Sequence, residues 1–172
     1  EFQERQPTQD ELLAWFDNDN VQGLGVITGT SANLLMIEFE GRAVERKLHL
    51  KAKEAVELAG LGYLWAKLIN GYSEMTPSGG VHLLVKVEGD VIDGNTKLAS
   101  KAGEDGGCLI ETRGRNGFSI CAPSGGTAHP SGKPWTMMAG SIETIPTITS
   151  KEMKELFTIL QTFDEMPRPD IV

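Results

Sequence analysis

The sequence predicts a mixed fold, α+β or α/β, on three observations. Two apolar runs of strand length, "NLLMIEFE" (Asn33 to Glu40) and "VHLLVKV" (Val81 to Val87), suit buried strands. Stretches at helical spacing follow the first run and return near the C-terminal end. The 172 residues suffice for one domain whose core needs no disulfide or metal staple.

Composition narrows the class. Hydrophobic residues at 40% and charged residues at 23% match a soluble globular domain. No apolar run approaches the roughly 20 residues that span a bilayer, and the N-terminal stretch lacks a signal-peptide pattern. Cys108 and Cys121 fall outside any C-x-x-C spacing, which argues against a zinc knuckle and reads as two buried thiols in a reducing compartment, with a disulfide between them as the alternative. A net charge of −8 weighs against nucleic-acid binding through bulk charge. Two local basic clusters remain: Arg42, Arg46, Lys47, Lys51 and Lys53, then Arg113, Arg115 and Lys133. The first reads equally as a solvated helix face.

In chain order, "TQDE" (Thr8 to Glu11) has capping-box spacing and opens a short helix with Leu12, Leu13, Trp15 and Phe16 as its apolar stripe. "GLGVITG" (Gly23 to Gly29) reads as a small strand and Asn33 to Glu40 as a central one, ended by Gly41. From Arg42 to Ala59 the apolar spacing is that of one helix, stopped at Gly60. "LGYLWAKLIN" is a second short helix before Gly71. The "TPSGG" loop leads into the strand from Val81 to Val87. The polar, glycine-rich stretch from Asp90 to Gly107 reads as a loop. "CLIETRG" and "NGFSICAPS" read as two short strands, a hairpin around Arg115, Asn116 and Gly117. "SGGTAHPSGKPW" is a further loop. Thr149 and Glu152 cap a last helix with Met153, Leu156, Phe157, Leu160 and Phe163 as its stripe. The domain is expected over 1–165, with 166–172 a tail or linker.

The acids carry the chemistry. Glu38 and Glu40 lie two apart at a strand end, so both carboxylates share a face within roughly 7 Å. Like charges that close favour a proton or a shared hard cation such as Mg²⁺; alternatively the strand has reached water there. Glu111 ends another apolar strand, again beside glycine, so three carboxylates can converge on one rim. "TPSGGVH" then has a use: Ser78 and the amides of Gly79 and Gly80 can bind phosphate oxygens, and His82 can donate to them. On its strand, His82 shares a face with Leu84 and Lys86. Val81, Leu83, Val85 and Val87 share the other face and can fill the core without it.

"LLMIEFEG", "TPSGGVHLLVKV", "LIETRGRNGFSICAPSG" and "HPSGKPW" resemble, in order and approximate spacing, the bifunctional primase–polymerase (prim-pol) domains of the archaeo-eukaryotic primase superfamily. "TQDELLAWF…GLGVITG" resembles the family's N-terminal stretch, and the match spans roughly Pro7 to Trp135. The resemblance implies an α+β, RRM-like sheet flanked by helices, and template-dependent nucleotidyl transfer in phage, prophage or plasmid replication. It implies that Glu38, Glu40 and Glu111 are the catalytic metal ligands for two Mg²⁺ or Mn²⁺ ions. Ser78, Gly79, Gly80 and His82 would hold the triphosphate, with Arg113 offsetting phosphate charge. Implied partners are a single-stranded DNA template, a primer, NTPs or dNTPs and a helicase domain beyond the tail, in the cytoplasm of a bacterial host.

Two departures stand out. The family usually has aspartate where this chain has Glu38 and Glu111, and the extra methylene sets each carboxylate about 1.5 Å further out. A strand and helix usually precede the point where this chain begins. The rival readings are a catalytically weakened nucleotide- or nucleic-acid-binding module on the same fold, and a metal-dependent phosphohydrolase or nuclease using the same acids.

Overall fold

The computed structural model describes residues 4–29, 33–89, 93–103 and 106–167. Among these described residues, helices α1 (Gln9–Phe16), α2 (Gly41–Glu45), α3 (Leu48–Leu58), α4 (Gly62–Gly71) and α5 (Ser150–Leu160) accompany nine strands. These are β1 (Leu24–Ile27), β2 (Leu34–Phe39), β3 (Tyr72–Met75), β4 (Val81–Glu88), β5 (Thr96–Lys101), β6 (Gly107–Arg113), β7 (Phe118–Cys121), β8 (Thr136–Gly140) and β9 (Thr147–Thr149). The fold is α+β. Its main sheet runs β5-β6-β2-β4-β3-β8, antiparallel throughout, with β9 pairing parallel to the far end of β4. β1 and β7 form a separate two-stranded ribbon.

Period-2 alternation splits β2 and β4 between two environments. Leu35, Ile37 and Phe39 join Val81, Leu83, Val85 and Val87 in the main core, beneath Leu48, Ala52 and Val56 of α3, Leu64, Trp65 and Leu68 of α4, and Met153, Leu156 and Leu160 of α5. Burying each such side chain contributes about 1.5–3 kcal/mol relative to leaving it exposed. Phe39 meets Trp65 edge-on at 6.0 Å between ring centroids. The opposite face carries Leu34, Met36, Tyr72 and Leu84, with Val26 of β1 packed on them. That face, roofed by the β1–β7 ribbon, holds the site.

Four expectations need correction. The hairpin around Arg115, Asn116 and Gly117 does not form, because β6 is flanked by β2 and β5 and has no free edge. The chain instead turns at Gly114–Gly117 and crosses to β1, pairing Leu24 with Cys121 and Ile27 with Phe118. The stretch from Asp90 to Gly107 contains an edge strand, β5, which buries only Leu98 and Ala99. Its outer edge is capped: the Ser100 amide donates to Asp164 Oδ1 at 2.8 Å and the Glu165 amide to the Ser100 carbonyl at 3.0 Å. One expected helix is two, broken at Lys47, whose left-handed backbone (φ 59°) re-aims α3 so that Leu48, Ala52 and Val56 face the sheet. Strands β8 and β9 were not anticipated, their residues being few and mostly exposed. The capping boxes at Thr8 and Thr149 are both formed. Cys108 and Cys121 are free thiols, each pushed up to about 11 by burial first and neighbouring carboxylates second. The tail falls mostly outside the described residues, which end at 167.

Candidate active site

Sheet register assembles the site. Glu38 on β2 stands opposite Glu111 on β6 and opposite His82 on β4, and His82 stands opposite Glu74 on β3. Directly opposed residues in antiparallel strands share a face, with Cβ atoms about 4.5–5.5 Å apart. The result is one row across four strands: Glu111, Glu38, His82, Glu74. Glu40 lies two residues past Glu38, where the chain leaves β2 and enters α2. Carboxylate oxygens of Glu38, Glu40 and Glu111 lie within 4.8 Å of one another. The Glu40 carboxyl is held above the ordinary carboxylate range, first by burial and then by the charges of Glu38 and Glu111. An Arg113 guanidinium donates to Glu111 Oε1.

His82 is 5% exposed and lies between two carboxylates. Its Nδ1 is 2.8 Å from Glu74 Oε1 and its Nε2 is 3.4 Å from Glu38 Oε1. Burial lowers the imidazole pKa, but hydrogen bonds and charge from Glu38 and Glu74 outweigh it and raise it to about 9. Both ring nitrogens are therefore donors at neutral pH. Glu74, wholly buried, also accepts from the Tyr72 hydroxyl and the Ala122 amide, each at 2.7 Å. Sequence reasoning missed Glu74. Its signal was present: a five-residue turn between Met75 and Val81 sets Glu74 opposite His82.

The "TPSGG" turn connects β3 to β4 and packs against the exit of β2. A Cβ on Gly41 would lie 2.2 Å from the Ser78 carbonyl oxygen, and one on Gly80 2.7 Å from that of Phe39, so both positions need glycine for backbone to meet backbone. The amides expected to bind phosphate are engaged inside the turn: Gly79 N donates to the Thr76 carbonyl and Gly80 N to Thr76 Oγ1, both at 2.9 Å. Ser78 is exposed and lines the pocket beside the sheet face.

That pocket, about 520 Å³, runs between the sheet face and the β1–β7 ribbon. Glu38, Ser78, His82 and Arg113 line it, together with Asn95, Phe118, Ser119, His129 and Trp135, which the sequence reading did not single out. The "HPSGKPW" motif thus reaches the site. Of the basic cluster, Arg42 stands near enough to the acids for its charge to act on Glu40, whereas Arg46, Lys47, Lys51 and Lys53 lie between α2 and α3 and along α3, whose buried residues join the core on the other face of the sheet. There Arg46 pairs with Glu165, and Lys53 with Glu57 at 3.7 Å.

A family model described as the N-terminal domain of bifunctional DNA primase/polymerase matches residues 1–149. The chain belongs to this family. Prim-pol membership implies DNA primase/polymerase-type nucleotidyl transfer, with nucleotides and nucleic acid as substrates, and the α+β sheet is consistent with a primase-type fold. None of the curated proteins matches the chain. Among the described residues of this prim-pol domain, no helix is long and apolar enough to cross a membrane.

Proposed function

We propose that this prim-pol domain extends or initiates a strand on a single-stranded DNA template, with Glu38, Glu40 and Glu111 as its metal ligands. One observation carries the reading: the register that brings three carboxylates within 4.8 Å at the edge of a pocket also lined by Ser78, His82 and Arg113. The donor set fits a hard cation, offering only carboxylate oxygens, as Mg²⁺ and Mn²⁺ prefer. The raised pKa of Glu40 supports the same fit: burial first, then the charges of Glu38 and Glu111, disfavour the bare carboxylate, and a bound cation would offset both. Divalent cations bound there would lower the pKa of an attacking 3′-hydroxyl and neutralise the pyrophosphate that leaves.

The protein's own groups do the rest. Ser78 donates its hydroxyl to a phosphate oxygen. His82, fixed by Glu74 through Nδ1 and facing Glu38 through Nε2, lends positive charge to the same pocket and would reach a phosphate oxygen only by sharing the Nε2 proton with Glu38. Arg113, at the pocket wall beside Glu111, offsets triphosphate charge. Template contacts rest on local basic residues or on a linked domain such as a helicase, in keeping with the net charge of −8. Replication of a phage, prophage or plasmid in a bacterial cytoplasm is the setting that the resemblance implies.

The test is incubation with single-stranded templates, with and without primers, labelled NTPs or dNTPs, and Mg²⁺ or Mn²⁺. Template-dependent products that vanish in the Glu38→Gln protein support the reading. Nucleotide binding without product under every metal condition would favour the weakened binding module instead.

A further inference from the structure

The "HPSGKPW" loop has a defined task at the pocket wall. Pro130 and Gly132 make a turn in which the Gly132 amide donates to the His129 carbonyl at 2.9 Å. Within that turn the Ser131 amide donates to His129 Nδ1 at 3.1 Å, and Ser131 Oγ lies 2.8 Å from the same nitrogen. A backbone N–H can only donate, so Nδ1 is the acceptor and the ring proton sits on Nε2. The ring plane is set by Trp135, met edge-on at 5.8 Å between centroids and 83° between planes. Nε2 then faces Ser78 Oγ at 3.3 Å, across 51 residues of chain.

Two consequences follow from donor direction. Ser78 Oγ accepts from His129, so its own proton is free for another acceptor. Among the described residues no hydrogen bond from the Ser78 hydroxyl to such an acceptor is formed, and Ser78 lines the pocket, where a ligand oxygen would stand. We propose that His129 is a positioning residue for nucleotide phosphates, acting through Ser78. The proposal rests on the pocket being the triphosphate site. A phosphate oxygen accepts from Ser78, Ser78 accepts from His129, and the Ser131 amide fixes the tautomer that makes the chain of donors run one way.

Calorimetric titration of a non-hydrolysable nucleoside triphosphate, with Mn²⁺ and separately with chelator, would use wild type, Ser78→Ala, His129→Phe, His129→Gln and the Ser78→Ala/His129→Phe double variant. Phenylalanine keeps the edge contact with Trp135 but lacks the donor, whereas glutamine restores an N–H near the place of Nε2. His129→Phe should weaken affinity about 3- to 10-fold, as the loss of one neutral hydrogen bond does. His129→Gln should recover most of it. The double variant should bind no more weakly than Ser78→Ala alone. Wild-type affinity in His129→Phe, or losses that multiply in the double variant, would overturn the role through Ser78. A melting temperature that falls in both His129 variants while glutamine restores no affinity would mark His129 as structural. A wild-type protein that binds no triphosphate would remove the nucleotide site itself, and the proposal with it.

Discussion

His82 Nδ1 lies 2.8 Å from Glu74 Oε1, on neighbouring strands and under almost no solvent. The carboxylate is wholly buried, yet it receives three donors: the imidazole, the Tyr72 hydroxyl and the Ala122 amide. A buried charge is tolerable when it is paired and hydrogen-bonded in this way. The pair ties β3, β4 and the segment after β7 together beneath the site. It also turns the His82 ring so that Nε2 faces Glu38.

Stability should fall with rising pH because Glu38 and Glu74 both flank the His82 imidazole. The folded-state pKa of His82, about 9, exceeds its ordinary value of 6.5. Its contribution is therefore fully present below pH 6.5 and lost as pH rises through 9. Urea denaturation at intervals from pH 6 to 10 should show a decline on the order of 3 kcal/mol. In Glu74→Gln the decline should be shallower but not abolished, because Glu38 still raises the imidazole pKa. An equally steep decline in that variant would remove Glu74 as a contributor.

Removing the imidazole strands the buried carboxylate. His82→Ala should cost about 3–5 kcal/mol, the range for breaking one side of a buried charge pair. Adding Glu74→Gln to His82→Ala should recover part of that loss, since the remaining group is neutral. Denaturant midpoints of the two single variants and the double variant decide it. Additive losses would show that the residues act independently.

If the proposed metal site is right, Glu40 should matter in opposite ways with and without cation. Glu40 is held above its ordinary pKa by burial and by Glu38 and Glu111, so its ionised form costs stability above its unfolded-state pKa. At pH 7 and without metal, Glu40→Gln should be as stable as wild type or more so. With Mn²⁺ it should bind the ion more weakly and extend primers at least about 100-fold more slowly, as loss of electrostatic stabilisation does. Calorimetry with Mn²⁺ and primer-extension rates are the measurements. Near-wild-type extension by Glu40→Gln would sink the assignment.

Close backbone packing should couple Gly41 to nucleotide binding. Its Cβ would meet the Ser78 carbonyl oxygen at 2.2 Å, so Gly41→Ala must displace the turn that presents Ser78. A destabilisation of about 1–3 kcal/mol is expected from such overpacking, with weaker nucleotide affinity. Gly60→Ala is the control: its positive φ of 78° carries a strain of roughly 1–2 kcal/mol, at a helix end away from the pocket. It should lose stability and keep affinity. Equal affinity in both variants would separate the turn from the site.

The sequence by itself determined the elements whose signals are local. Both capping boxes, the buried β2 and β4, and the sidedness of His82 follow from spacing, because alternation on a strand and i, i+3 pairing at a helix start are set within a few residues. The three glutamates, Ser78, His82 and Arg113 stand out as candidates in their motifs; the structure gathers the glutamates' carboxylate oxygens within 4.8 Å and lines one pocket with Glu38, Ser78, His82 and Arg113. Tertiary structure alone decided which strand lies beside which. β7 pairs with β1 across nearly a hundred residues because both edges of β6 are occupied, and β5 is a strand only because β6 offers an edge to it. The same holds for Glu74 and His129. A buried carboxylate looks like any surface glutamate in sequence, and a loop histidine has only its local Ser131 hydrogen-bond contacts until the fold carries Ser78 to within 3.3 Å of it. Pairing of this kind depends on long-range register, which period and propensity do not encode.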